Sequence, residues 1–183
     1  AHHAAHVAAF GEDVGVANGS YRSAVLWFLG LPEQAAAVSA QTLAYARQLG
    51  HPFSLAYALT FAMVLHCHLR QPHAALALVD EAQVLVGKHG FALWKMGALL
   101  CRGWALSQLG QAEGLALMQH GVNATHAAMG TVEVLAMVPL AEAYVAAGQF
   151  DAALRVIDQA LKTGAAKGDH HQDAELYRLK GEA

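Results

Sequence analysis

Three groups of residues in this chain have types and spacings that invite chemistry. His66, Cys67 and His68 are consecutive soft and borderline metal ligands. His2, His3 and His6 crowd the start of the sequence, and His2 and His6 would share one face of a helix. Glu142 stands inside an apolar run, with Arg102 upstream as a counter-charge. On a helix, residues two apart point about 200° apart, so His66 and His68 cannot grip one ion. A terminal segment frays, so His2, His3 and His6 are not assigned a metal either. A carboxylate in apolar surroundings must find a partner or become neutral. Arg102 is the expected partner of Glu142; the first reading is a structural ion pair or a solvated face, and a ligand-facing role comes second.

Other chemistries lack their parts. No glycine-rich loop ends in Gly-Lys-Ser or Gly-Lys-Thr, so no nucleotide phosphate is cradled. Serine, histidine and aspartate are all present, but a triad is recognised by geometry and nothing in the spacing supplies it. No catalytic residue, metal or cofactor is assigned, and the chain does not read as an enzyme.

The composition narrows the class further. The chain has 183 residues, 56% of them hydrophobic and only 14% charged. Soluble domains usually carry about 25% charged residues. Much of the apolar excess is alanine, the strongest helix former. The net charge of −3 comes without a basic block, which argues against direct nucleic-acid binding. Twelve histidines are scattered and read as a histidine-tolerant surface, with a pH sensor as the other reading. Cys67 and Cys101 have no paired spacing, which fits a reducing cytoplasm. The charge-free run from Phe53 to Leu69 imitates a membrane span but reads as a buried helix, because the matching run one period later contains Lys95 and Arg102.

The elements that would position these residues are set by punctuation. Leu29-Gly30, Leu69-Arg70, Leu109-Gly110 and Ala147-Gly148 recur at steps of 40, 40 and 38 residues, and Gly50, Gly90, Gly130 and Gly168 recur at the same steps. Glycine caps helices in the left-handed conformation, and Pro32, Pro52 and Pro72 follow breaks at the first-turn position that tolerates proline. The spacing predicts first helices at about 15–29, 52–69, 92–109 and 131–147. Second helices fall at about 33–49, 73–88, 112–129 and 150–166. Short breaks make neighbours antiparallel. A ninth helix starts near Gln172 and is still running at Ala183, as in a piece of a longer protein. Pro139 should bend its helix or mark a late start near Val138. The expectation is a single all-α domain over 1–183: a right-handed solenoid of four antiparallel helix pairs (repeats 12–50, 51–90, 91–130 and 131–168) and a truncated final helix at 172–183.

The fourth repeat carries a named resemblance. The run Leu140-Ala141-Glu142-Ala143-Tyr144-Val145-Ala146-Ala147-Gly148-Gln149-Phe150-Asp151-Ala152-Ala153-Leu154, with Ala160 beyond it, resembles a tetratricopeptide repeat. The family's small residue, tyrosine, turn glycine, aromatic and two later alanines fall on Ala141, Tyr144, Gly148, Phe150, Ala153 and Ala160. The other repeats depart from it: Arg70 replaces the turn glycine, Gly114 or Leu115 sits where alanine is usual, and the period of 40 exceeds the family's 34. His51-Pro52-Phe53-Ser54-Leu55-Ala56-Tyr57-Ala58-Leu59, Arg102-Gly103-Trp104-Ala105-Leu106 and Ala174-Glu175-Leu176-Tyr177-Arg178-Leu179-Lys180-Gly181-Glu182 are similar to the C-terminal repeat regions of large bacterial signalling proteins. Those proteins join an ATPase to a nucleotide cyclase or DNA-binding output domain.

The resemblance implies that first helices line a concave groove. Laid on the family pattern, Tyr21, Trp27, Tyr57, Phe61 and Trp104 fall near groove-facing positions, with Arg102, Gln108 and Glu142 as the accompanying polar groups. The implied role is a cytoplasmic, non-catalytic protein-interaction or scaffolding module of a signalling or transcription regulator. It would bind a protein, a peptide or other domains of its parent chain, with no membrane contact. The other role the groove would suit is small-molecule sensing. An apolar end face after Ala183 would also favour homo-oligomers.

Overall fold

A computed structural model describes Val7 and residues 11–129 and 134–183 of the chain. Among the described residues there is no strand. The helices are α1 (Val14–Phe28), α2 (Pro32–Leu49), α3 (Pro52–His68), α4 (Pro72–His89) and α5 (Ala92–Gln108), followed by α6 (Glu113–Met129), α7 (Val134–Ala146), α8 (Phe150–Lys167) and α9 (Asp173–Glu182). No described helix is long and apolar enough to cross a membrane.

The punctuation acts as its chemistry requires. Pro32, Pro52 and Pro72 each occupy a first helical turn, where the missing N–H costs no hydrogen bond. The turns after α1, α3, α5 and α7 place Gly30, Arg70, Gly110 and Gly148 at φ of 75°, 58°, 74° and 67°. The next amide then reaches back to the last helical turn: Leu31 to Leu26 O, Gln71 to His66 O, Gln111 to Leu106 O and Gln149 to Tyr144 O, at 3.0, 3.0, 2.9 and 2.9 Å. This wrap satisfies carbonyls that the helix end would leave open. Gly50, Gly90 and Gly168 cap α2, α4 and α8 in the left-handed region. Gly130, the remaining member of that series, lies outside the described residues.

Pro139 lies within α7 rather than at its start. A proline inside a helix removes one backbone hydrogen bond. Val138, Leu140 and Ala141 beside it are buried. The described part of α7 begins at Val134, so a late start near Val138 is ruled out, while residues 131–133 of the expected helix lie outside the description.

The chain divides into two compact units, Ala1–Cys101 and Arg102–Ala183. In the first, α1 packs on α2, α3 packs on α4, and α3 also packs on both α1 and α2. Val16, Leu43, Leu59, Met63 and Val79 centre its core, with Ala98 and Cys101 of α5. The helix starts are cross-linked by polar groups. Asp13 caps α1 by accepting the Val16 amide at 3.1 Å, and its own N–H donates to the Ser54 hydroxyl of α3 at 2.9 Å. His51 Nδ1 lies 2.9 Å from the same hydroxyl. Arg47 and Glu81 tie α2 to α4 through a two-pronged pair, but both are solvent-accessible, so the pair contributes only about 0–1 kcal/mol.

In the second unit, α7 packs on α6 and α8, and α9 packs on both α7 and α8. Its core gathers Val134, Met137, Val138, Ala141, Ile157, Leu176 and Leu179. Burying a side chain the size of Ile157 stabilises by roughly 1.5–3 kcal/mol. Helix α9 thus buries Leu176 and Leu179 against the preceding pair and leaves Tyr177 exposed. A buried small residue recurs near the start of each second helix: Ala35, Ala75 and Ala153 are fully covered, and in α6 Gly114 takes this place. Of the two sequence alternatives for that slot, Gly114 is buried and Leu115 only partly so.

Candidate functional site

The residues selected from the sequence fall into separate groups. In the first unit, Tyr57 and Phe61 are four apart on α3 and therefore share one face. Their rings stack, with centroids 5.0 Å apart and planes at 17°. Tyr21 of α1 stands edge-on to Phe61 at 5.1 Å and to Tyr57 at 6.3 Å. Trp94 of α5 meets Tyr57 edge-on at 5.5 Å, and Phe53 extends the group at 5.6 Å from Trp94. These edge and offset contacts suit the quadrupoles of aromatic rings and rigidify the group beyond its buried area.

Exposure separates floor from rim. Tyr57 is 8% exposed and forms the floor, whereas Tyr21 is 58% exposed and forms the rim. Burial, a hydrogen bond with Tyr21 and the negative charge of Glu12 hold the Tyr57 phenol well above its ordinary value of 10.0, so it is neutral at physiological pH. Glu12, partly covered just before the α1 cap, has its own pKa raised by burial. From Tyr21 an apolar stripe continues along α1 through Val25 and Phe28, 53% and 49% exposed. The spacing of four and then three residues puts all three on one helix face.

Trp27 makes different contacts. Its ring stacks on His68 at 4.1 Å and meets the edge of Phe28 at 5.1 Å. His66, meanwhile, lies 2.7 Å from the side-chain oxygen of Gln71 through its Nδ1. The two imidazoles flanking Cys67 are thus engaged with different neighbours. Among the described residues, no group of three or more histidine, cysteine, aspartate or glutamate side chains is arranged to hold a metal ion. His2, His3 and His6 lie outside the described residues.

The second unit brings Trp104, Gln108 and Glu142 together. The indole Nε1–H of Trp104 donates to Glu142 Oε2 at 3.4 Å, and Gln108 Nε2 donates to Oε1 at 3.2 Å. Trp104 is almost fully buried, Glu142 half-buried and Gln108 exposed. Positions 104 and 142 are 38 residues apart, the step of the last repeat, so they occupy matching places on successive first helices. Arg102 is half-buried on α5, two residues before Trp104. Gln119 of α6 donates to the Tyr144 hydroxyl of α7 at 2.7 Å, which ties down the tyrosine of the repeat motif.

A surface depression of about 360 Å³ lies at the start of α8, lined by Gly148, Gln149, Phe150, Asp151, Ala152 and Arg155. It contains none of the candidate groove residues, although Gly148 and Phe150 belong to the repeat motif. Sequence reasoning also passed over Glu12, Val25, Phe28 and Trp94. Tyr21, Val25 and Phe28 carry a legible helical stripe. Trp94 has no aromatic counterpart one period earlier, where Ser54 stands, so the repeat pattern gave it no signal. What these arrangements offer chemically is contact area, polarised ring faces and a few fixed hydrogen-bonding groups. No protein-family model, curated protein or solved structure matches this chain.

Proposed function

We propose that this chain is a non-catalytic protein-interaction module, a right-handed solenoid of tetratricopeptide-like helix pairs that presents first-helix side chains to a peptide or partner domain. The observation that carries the proposal is the exposed face of α1. Tyr21, Val25 and Phe28 form an exposed apolar stripe, and its Tyr21 end rests on the rings of Tyr57 and Phe61. Exposed apolar surface held on a rigid support is characteristic of interaction sites, and tyrosine and tryptophan supply much contact energy at little entropic cost. The alternation of pairs, the left-handed caps at 40-residue steps and the packing of α1 on α3 support the repeat reading. Neither Cys67 nor Cys101 is in a disulfide among the described residues, which supports a place in a reducing cytoplasm. The sequence resemblance supports a place within a bacterial signalling or transcription regulator.

Affinity capture tests the proposal. Wild type is compared with a Tyr21→Ser/Phe28→Ser double variant and with Phe150→Ser, an exposed aromatic of the other unit. Loss of a captured protein from the double variant alone is the expected result, with circular dichroism confirming the fold of each. Identical captured sets for all three would remove the α1 face from the proposal.

A second reading, small-molecule sensing, draws on Glu142. Its carboxylate is held by two side-chain N–H donors, a pre-formed polar cluster of the kind that orients small ligands. It predicts that a ligand alters Trp104 fluorescence and that Glu142→Gln abolishes the response.

A further inference from the structure

We propose that the aromatic patch of the first unit, with Glu12 at its edge, is a seat for the cationic side chain of a peptide partner, an arginine or lysine followed by apolar residues that lie along Val25 and Phe28. The inference rests on the interaction-module reading and specifies the chemistry of its partner.

The ring faces supply the first half of the seat. An aromatic face carries negative electrostatic potential, and a cation within about 6 Å of a ring centroid is attracted to it. Tyr21, Tyr57 and Phe61 have centroids 5.0 to 6.3 Å apart, so a cation over the patch is within reach of more than one ring. The Tyr21 ring is mostly open to solvent, so its surface is available without rearrangement.

Glu12 supplies the second half. It directly precedes Asp13, whose N–H is bonded to the Ser54 hydroxyl at 2.9 Å, one helical turn before Tyr57 on α3, and its charge opposes ionisation of the Tyr57 phenol. Its own pKa is shifted upward by burial, with no cation pulling it down. Among the described residues, no lysine, arginine or histidine pairs with Glu12. A partly buried carboxylate with no counter-charge among the described residues favours a partner that brings one.

The openness of the patch decides between a free cation and a peptide. A cation over exposed rings binds weakly, because water competes for it. The apolar stripe along α1 gives a peptide backbone somewhere to continue. Successive turns of α1 carry Tyr21, Val25 and Phe28 away from the seat, so apolar residues beside the cation would cover surface now exposed to water. A guanidinium also stacks on aromatic faces better than an ammonium does, which favours arginine.

The test uses N-acetylarginine amide and an acetylated peptide of one arginine followed by two leucines, each beside a counterpart in which neutral citrulline replaces arginine. Binding is followed by NMR through the ring resonances of Tyr21 and Phe61 in the full chain. Both arginine probes are expected to shift these resonances saturably, and the citrulline probes to bind about fivefold more weakly or worse. Adding leucines should strengthen binding. Glu12→Gln should weaken the arginine probes about threefold and leave the citrulline probes unchanged. Tyr21→Leu, which keeps an apolar side chain at the rim, should weaken the arginine probes as well. Equal binding of arginine and citrulline, or an unchanged ratio in Glu12→Gln, would overturn the cation seat while leaving the docking face intact. Silence of both rings toward every probe would also overturn it. The α1 docking face itself falls only if protein capture also survives Tyr21→Ser/Phe28→Ser.

Discussion

Gly103 of α5 and Gly114 of α6 approach so closely that neither has room for a Cβ. One added at Gly114 would lie 2.5 Å from the Gly103 carbonyl oxygen and nearer still to the Ser107 amide. One added at Gly103 would lie 2.8 Å from the Gly114 oxygen and 2.5 Å from Met118 Cγ. The obstructing atoms around Gly114 are backbone, so relief requires the two helices to part. Gly114→Ala is therefore expected to lower stability by about 1–3 kcal/mol, the usual cost of overpacking. Gly87→Ala is the control, because a Cβ there meets nothing within 4 Å. It should raise stability by roughly 0.5–1 kcal/mol through helix propensity. Urea denaturation of both variants checks the opposite signs.

Arg70 occupies, at φ 58°, the turn position that Gly30, Gly110 and Gly148 fill in the other pairs. A side chain in the left-handed region costs about 1–2 kcal/mol, partly offset because glycine is more flexible when unfolded. Arg70→Gly is expected to stabilise the chain by about 0.5–1 kcal/mol, read as a raised denaturation midpoint. Arg70→Val should do the opposite and by more, since a branched Cβ resists positive φ.

Tyr57 makes the first unit sensitive to alkali. Its folded pKa lies above the ordinary 10.0, because burial, the hydrogen bond with Tyr21 and the Glu12 charge all disfavour the phenolate. The folded state therefore holds this proton more tightly than the unfolded state does. The resulting stability is whole below the ordinary value and is lost as pH rises past it toward the folded pKa. Phenolate absorbance should show one tyrosine that ionises only as helical circular dichroism is lost. Tyr57→Phe should remove that component and flatten the alkaline decline. An unchanged alkaline midpoint would contradict the assignment.

Helix ends were the most legible part of this sequence. Proline and glycine act through local backbone terms, and those are visible without a structure. The expected 33–49 and 150–166 became Pro32–Leu49 and Phe150–Lys167. Tertiary register was less legible. Period alone left Gly114 and Leu115 as alternatives for the small-residue slot, and only the approach to Gly103 distinguishes them. The candidate aromatics share a helical period but have different environments. Tyr21 is a rim residue, Tyr57 and Trp104 are buried, and Trp27 is engaged with His68. Nothing local to those residues encodes the difference, because it is set by which side of a first helix the next one covers. Glu12 was illegible for a similar reason: its environment is made by a tyrosine 45 positions away in the chain.

Glu142 offers the sharpest test within the second unit. It accepts the Trp104 indole N–H and the Gln108 amide, so its two oxygens connect α5 to α7. Glu142→Ala removes the acceptor of the Trp104 N–H, whose indole is almost wholly buried. Leaving a buried donor without an acceptor costs about 1–3 kcal/mol. Glu142→Gln keeps one oxygen to accept and places an amide N–H beside existing donors, so its loss should be smaller and of the same sign. Denaturation midpoints are expected in the order wild type, Glu142→Gln, Glu142→Ala. Trp104→Phe should blunt the difference between the two Glu142 variants, because the donor they compete to satisfy is gone. Additive losses in that double-mutant cycle would show that the carboxylate does not act through the indole.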